Sequence, residues 1–215
     1  AAAVGGAVVD SGKFDWEAHA DKYPGLTTPD ESYHGITYTK KFGLEGAYIT
    51  KATAQLMRDF GSTPAPMNAW LLGMGMETLP LRMARHCENG LAMARHLQSH
   101  PKVAWVRYPG LPGDKYHDLA KKYLPRGASG VVSFGVKGGR AAAEKFMAGL
   151  ELCSIATHVA DAKTCVLHPA SATHRQMNDA ELAAAGVSPD LIRLSVGLED
   201  PGDLISDVDR ALAGV

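Results

Sequence analysis

A chain of 215 residues with a formal net charge of −1 can form one large domain or two small ones. The near balance of 22 basic and 23 acidic side chains gives no electrostatic reason to expect nucleic acid or an acidic membrane surface as partner. No apolar run approaches the roughly 20 residues that span a bilayer, and the first residues lack the pattern of a signal peptide. Three scattered cysteines, Cys87, Cys153 and Cys165, indicate a reducing compartment, so the predicted location is the cytosol.

The first third of the chain is predicted to be mostly irregular. The apolar, β-branched run at 4–9 predicts a buried strand. Because domains rarely open inside a core strand, we expect the chain to be a piece of something longer. Residues 13–46 are rich in Gly, Pro, aromatic and charged residues without a sustained period, which predicts a long ordered loop. Helices are predicted at 47–60 and 67–74, on either side of a proline-rich break.

From residue 79 onward the pattern alternates helices and strands. A long amphipathic helix at 79–99 ends at His100 and Pro101. The last helix is well signalled, with Asp200 as N-cap and Pro201 at the first helical position. Strands are predicted at 103–108, 130–136, near 152–155 and 165–167, and at 191–196, with helices at 116–123, 140–150, 178–185 and 201–212. The prediction is an α/β or α+β fold with a small, mostly antiparallel sheet.

Most patterns that could carry chemistry favour ordinary structural roles. There is no Cys-x-x-Cys, and His168 and His174 are separated by irregular sequence, so no metal site is predicted. The segment around Ser129 lacks the Gly-x-Ser-x-Gly pattern of a nucleophile elbow. Gly138 and Gly139 are interpreted as a strand-to-helix turn rather than a phosphate site.

The informative residue is Arg193, a permanent cation inside an apolar strand. Alternation along the strand places Arg193 and Ser195 on the face opposite Leu194. A guanidinium in apolar surroundings is costly unless a negative group meets it. That group is either an internal partner, Glu199 or Asp161, or the carboxylate of a ligand gripped by two parallel hydrogen bonds.

Longer motifs resemble one enzyme family. The heptapeptide HPASATH at 168–174 and the run SPDLIRLSVGLEDPGDL at 188–204 resemble the C-terminal signature of the pyridoxal-phosphate enzymes of cysteine and methionine metabolism, which have fold type I. The resemblance runs from end to end of the chain and is greatest to the C-terminal half of the O-acetylhomoserine sulfhydrylase branch. It rests on the stretches at 5–16, 29–35, 76–90 and 100–139 and on the long loop at 17–46.

The resemblance implies an organisation and an assembly. Residues 1–75 would be the end of the large cofactor-binding domain, with a strand, a long loop and helices. Residues 76–215 would be the C-terminal small domain, entered by a long helix. Members of the family are usually homotetramers built as dimers of dimers, and this is the expected assembly.

The resemblance also implies a reaction. O-acetylhomoserine and sulfide, or a thiol, would give homocysteine, or methionine, and acetate, with the pyridoxal phosphate ring as electron sink. Arg193 would clamp the substrate α-carboxylate, and Ser154 would face the same group. The lysine that holds the cofactor is expected upstream of Ala1, so no catalytic residue is assigned in this chain, its cofactor-binding residues are unknown, and it is expected to be inactive alone.

Two alternatives stay open at this point. One is a cystathionine γ-synthase or γ-lyase type of activity in the same family, which the long loop at 17–46 disfavours. The other is a catalytically empty C-terminal fragment that serves only in assembly. The chain also departs from the sulfhydrylase branch at two positions, where His158 and Ala160 replace the usual Asn and Gly. Both changes bear on the conformation of that loop and on the preferred γ-substituent.

Overall fold

The computed structural model describes residues 3–215, which divide into two compact units, one up to Gly75 and one from Met76 to Val215. The first unit is helical, and its small core is formed by Leu26, Tyr38 and Ala47 with aromatic side chains packed around them. Its helices are α1 (Pro24–Thr27), α2 (Tyr38–Lys51), α3 (Arg58–Phe60) and α4 (Pro66–Glu77), with a π-helical segment at Ala52–Met57 and 3-10 turns at Glu17–His19 and Glu31–Tyr33.

The predicted strand at 4–9 is wrong. These residues have no regular structure, and Val4 and Val9 are 83% and 90% exposed. A strand is held by backbone hydrogen bonds to a neighbouring strand. Among the described residues of this unit no strand is present to supply them.

The predicted loop at 13–46 is only partly irregular, and α2 begins at Tyr38 rather than at residue 47. Gly43, at φ 68° and ψ 174°, interrupts the helix. The spacing of apolar residues along the sequence is therefore not regular across this break. Tyr38 and Ala47 are both fully buried, and their packing against Leu26 fixes a helix that local propensity alone would not predict. The prediction at 67–74 is confirmed as part of α4.

The second unit is built on a five-stranded sheet in the order β1-β2-β5-β4-β3. All neighbouring strands are antiparallel except β3 and β4, which are parallel. The α/β architecture with a mainly antiparallel sheet is therefore confirmed. The strands are β1 (Val103–Arg107), β2 (Val131–Val136), β3 (Ser154–Ile155), β4 (Cys165–Leu167) and β5 (Leu191–Ser195). The helices are α5 (Leu79–Ser99), α6 (His117–Tyr123), α7 (Gly139–Ala148), α8 (Asp179–Ala184) and α9 (Pro201–Ala213).

The main core lies between one face of the sheet and helices α5, α7 and α9. Phe134 of β2 and Ile192 and Leu194 of β5 are fully buried in it, against residues such as Phe146 and Val208. Burial of side chains of this size stabilises a fold by about 1.5–3 kcal/mol each. The opposite face of the sheet carries Arg193 and Ser195 beside the buried side chains of Cys165 and Leu167.

A buried carboxylate ties α9 to the residues that precede β3. Asp207 is 4% exposed and accepts hydrogen bonds from the backbone N–H groups of Glu151 and Cys153, both at 2.9 Å, and from the Arg210 guanidinium. Burial alone would raise the pKa of Asp207, but the hydrogen bonds from Cys153 and Glu151 outweigh it and hold the pKa below its usual value.

We expect Asp207→Asn to lower the free energy of unfolding at pH 7 by about 1.5–3 kcal/mol, the usual loss for hydrogen bonds to a charged group. Because the folded-state pKa lies below the unfolded one, this stabilisation is complete above the unfolded pKa, about 4, and is lost as the pH falls through the folded pKa. Urea unfolding at pH 7 and pH 3 should therefore show a smaller difference at pH 3.

The matched control is the exposed Asp203→Asn in the first turn of the same helix, which should lower the unfolding free energy by only about 0.3–1 kcal/mol, the usual contribution of a charge at a helix N-terminus. An equal loss in both variants would contradict the assignment of this role to Asp207.

Candidate functional site

Arg193 lies on β5, the middle strand of the sheet, opposite Ser133 of β2 and Leu167 of β4. Its neighbours Ile192 and Leu194 are fully buried on the helix-covered face. Side chains alternate along a strand, so Arg193 projects from the other face. The alternation predicted for this strand is therefore confirmed.

Within the described residues, the Arg193 guanidinium has one hydrogen-bond acceptor, the Thr157 carbonyl, which accepts from Nη2 at 2.8 Å. Its Nε is buried and has no partner among the described residues. A buried donor left without an acceptor costs about 1–3 kcal/mol. The guanidinium therefore keeps one donor unsatisfied among the described residues.

The two candidate internal partners do not neutralise Arg193. The Glu199 carboxylate accepts from the Thr164 backbone N–H at 2.7 Å and from the Thr164 hydroxyl at 2.9 Å. Asp161 accepts from the backbone N–H of Lys163 at 3.1 Å. Within residues 3–215, Arg193 forms no ion pair with a carboxylate at 4.0 Å or less. Among the described residues, the predicted salt bridge from Arg193 to Glu199 or Asp161 is therefore not formed.

Ser154 is exposed on β3, two strands away from Arg193. It lies opposite Cys165 of β4, which in turn lies opposite Ser195 of β5. Register-paired residues project from the same side, so Ser154 shares a face with Arg193, although no hydrogen bond joins their side chains within the described part of the chain. The Ser154 backbone N–H already donates to the Thr164 carbonyl at 2.9 Å.

The loop at 157–163 is held to β5 at several points. Thr157 binds Arg193, and the Ala160 backbone N–H donates to the Ser195 hydroxyl at 2.8 Å. Further along, the Leu198 N–H donates to the Ala162 carbonyl at 2.9 Å. Sequence reasoning missed Thr157 and Ser195. The only available signal was that Ser195 shares a strand face with Arg193.

Ala160 adopts a left-handed conformation with φ 59°. This conformation costs a residue with a Cβ about 1–2 kcal/mol relative to a right-handed one, and glycine escapes that cost. Ala160 therefore has a backbone conformation that suits glycine, which is the usual residue at this position in the branch that the chain resembles. His158 is exposed in the same loop.

The end of β5 is fixed by α5. The His86 Nδ1–H donates to the Val196 carbonyl at 2.7 Å, and the Asn89 amide donates to the Gly197 carbonyl at 3.0 Å. The close approach requires a glycine at position 130, because a Cβ there would lie 2.8 Å from the Val196 carbonyl oxygen. The strand that carries Arg193 is thus positioned by contacts with α5 as well as by its neighbouring strands.

One pair of histidines was not predicted from the sequence to interact. His96 lies in the last turn of α5 and His100 is the C-cap of that helix, and their Nε2 atoms are 2.6 and 3.7 Å from one carboxylate oxygen of Asp209. Both rings share that oxygen, and among residues 3–215 no group of three His, Cys, Asp or Glu residues is arranged to hold a metal ion. Within the same residues, no helix is both long and apolar enough to cross a membrane.

The chain is similar to the proteins of one known enzyme family. A family model described as Cys/Met metabolism PLP-dependent enzyme matches residues 2–213. The chain is 46% identical over 220 residues to an O-acetyl-L-homoserine sulfhydrylase of Leptospira meyeri, covering 99% of this chain and 49% of that protein. It is 48% identical over 212 residues to O-acetyl-L-homoserine sulfhydrylase 1 of Thermus thermophilus, covering 99% of this chain and 50% of that protein. The chain spans about half the length of the curated relatives it matches.

A solved structure is also similar. It is a putative O-acetylhomoserine (thiol)-lyase from Campylobacter jejuni with N'-pyridoxyl-lysine-5'-monophosphate, and it matches with a TM-score of 0.79 and 38% sequence identity. The match covers 90% of this chain and 45% of that one.

We expect Ala160→Gly to raise the free energy of unfolding by about 0.5–1 kcal/mol, since relief of the left-handed strain exceeds the entropy cost of glycine. Urea unfolding followed by circular dichroism measures the change. The matched control is Ala156→Gly in the same segment, where φ is not positive, which should lower stability by about 0.5–1 kcal/mol. A loss of stability in both variants would show that residue 160 carries no such strain.

Proposed function

Because the chain belongs to the pyridoxal-phosphate-dependent enzymes of cysteine and methionine metabolism, we propose that the enzyme carrying it replaces the acetyloxy group of O-acetylhomoserine with sulfide or a thiol. The products are acetate and homocysteine, or methionine when the thiol is methanethiol. When bound, pyridoxal phosphate supplies the electron sink for this chemistry. Support comes from the relatives, which are named O-acetyl-L-homoserine sulfhydrylase and homocysteine synthase.

In this proposal the chain supplies the site for the substrate α-carboxylate, with Arg193 as the principal group. The observation that carries the assignment is a guanidinium on the middle strand with a buried, unpartnered Nε and no carboxylate within ion-pair distance among residues 3–215. A carboxylate presents two oxygens with the spacing of two guanidinium N–H groups. The Ser154 hydroxyl is proposed as a second donor from the same sheet face.

The described residues around Arg193 offer fewer groups that could bind the cofactor than groups that could bind the substrate carboxylate. The groups that bond the loop beside Arg193 are backbone N–H and carbonyl groups and one hydroxyl, and they include no amine for the cofactor. Lys163, in the same loop, is exposed. We therefore propose Arg193 for the substrate carboxylate, and we propose none of these residues for the cofactor ring or phosphate.

We further propose a cytosolic homotetramer. The three cysteines are unpaired, as a reducing compartment favours. Helix α4 has no buried residue among those described, and Met67 and Trp70 are 62% and 58% exposed. An apolar helix surface of this kind favours association with another protein surface.

Arg193→Lys should lower kcat/KM for O-acetylhomoserine by about one to two orders of magnitude in the enzyme loaded with pyridoxal phosphate. Lysine keeps the charge but loses the planar two-point grip, and one hydrogen bond to a charged group is worth about 1.5–3 kcal/mol. Steady-state kinetics with sulfide as second substrate measures the loss.

The matched control is Arg126→Lys, an exposed arginine in the turn after α6, which should leave kcat/KM unchanged. If Arg193→Lys left kcat/KM intact while lowering the melting temperature by several degrees, Arg193 would be a structural residue and the carboxylate site would lie elsewhere.

A further inference from the structure

The orientation of the Arg193 guanidinium depends on one backbone carbonyl. Within the described residues, its hydrogen bond is the one from Nη2 to the Thr157 oxygen at 2.8 Å. A planar guanidinium held at one corner takes the orientation that this acceptor allows. A displacement of the Thr157 carbonyl would therefore turn Nε away from the position in which it can meet a carboxylate.

The position of Thr157 depends on bonds at either side of it in the chain. On the N-terminal side, the Ala156 N–H donates to the Val166 carbonyl at 3.1 Å and continues the pairing of β3 with β4. On the C-terminal side, the nearest tie is the Ala160 N–H, which donates to the Ser195 hydroxyl at 2.8 Å. Residues 157–160 are exposed, so packing does little to hold them.

Ser195 is well placed to act as an anchor. It is 1% exposed and is paired with Val131 on one side and Cys165 on the other, in the interior of the sheet. Its hydroxyl is fixed by a rigid strand, and that strand is the one that carries Arg193 two residues earlier. One strand thus supplies both the cation and the anchor for the loop that orients it.

We propose that Ser195 is a positioning residue for carboxylate recognition. It accepts the Ala160 N–H, holds the loop at 157–160 in its left-handed turn, and so keeps the Thr157 carbonyl where it presets the plane of the Arg193 guanidinium. This inference rests on the proposed function and deepens it, because it names the residue that determines how well the arginine receives an α-carboxylate.

The test compares two ligands that differ only in the carboxylate. L-methionine has one, and L-methionine methyl ester carries an uncharged ester in its place. Dissociation constants of both are measured by calorimetry on the enzyme loaded with pyridoxal phosphate, in the parent and in Ser195→Ala. We expect Ser195→Ala to weaken L-methionine binding about tenfold, the equivalent of one net hydrogen bond, and to leave ester binding within about twofold.

A matched serine controls for the substitution itself. Ser206 on α9 donates its hydroxyl to the Gly202 carbonyl and is exposed. Ser206→Ala should change neither dissociation constant. Amide hydrogen exchange supplies a second readout, since the Ala160 N–H should exchange faster in Ser195→Ala than in the parent.

The proposal is overturned if Ser195→Ala weakens both ligands equally, or if it leaves L-methionine binding unchanged. Loss of the fold in Ser195→Ala would also overturn it, because release of an exposed loop should leave the core intact. The proposed function fails separately, if the parent enzyme does not convert O-acetylhomoserine. In that case the difference between methionine and its ester still reports on Ser195.

Discussion

The second unit has to accommodate an arginine on the middle strand of its sheet. No carboxylate among residues 3–215 neutralises this cation. Such a cation is tolerated because its strand is fixed independently of it. One face of β5 is buried in the main core, and its end is held by His86 and Asn89 of α5. The fold therefore stabilises the strand without an ion-pair partner for the arginine among residues 3–215.

The site is assembled from two segments of different rigidity. Arg193 and Ser195 belong to a strand with neighbours on both sides, whereas Thr157 and Ala160 belong to an exposed loop. Hydrogen bonds between the strand and the loop restrict the conformations that the exposed loop can adopt. Preorganisation of this kind lowers the cost of binding, because fewer groups have to be fixed when the ligand arrives.

The sequence predicted those features that local residue patterns determine. The last helix carried its own N-cap, Asp200, and the strand of Arg193 showed a clear alternation, and both are present. The start of α2 was not predictable, because it depends on the burial of Tyr38 and on a break at Gly43. Arg193 was recognisable as a charge in an apolar strand. Its partner was not, because a backbone carbonyl is common to every residue and leaves no mark in a sequence.

The central claim is that Arg193 receives a substrate carboxylate, and the most direct measurement is a crystal structure of the enzyme loaded with pyridoxal phosphate and bound to L-methionine. The account predicts one carboxylate oxygen within about 2.7–2.9 Å of Arg193 Nε, the usual length of a charge-assisted hydrogen bond, and the second oxygen on a terminal guanidinium nitrogen. A methionine carboxylate bound to other residues, with Arg193 Nε still unpartnered, would contradict it.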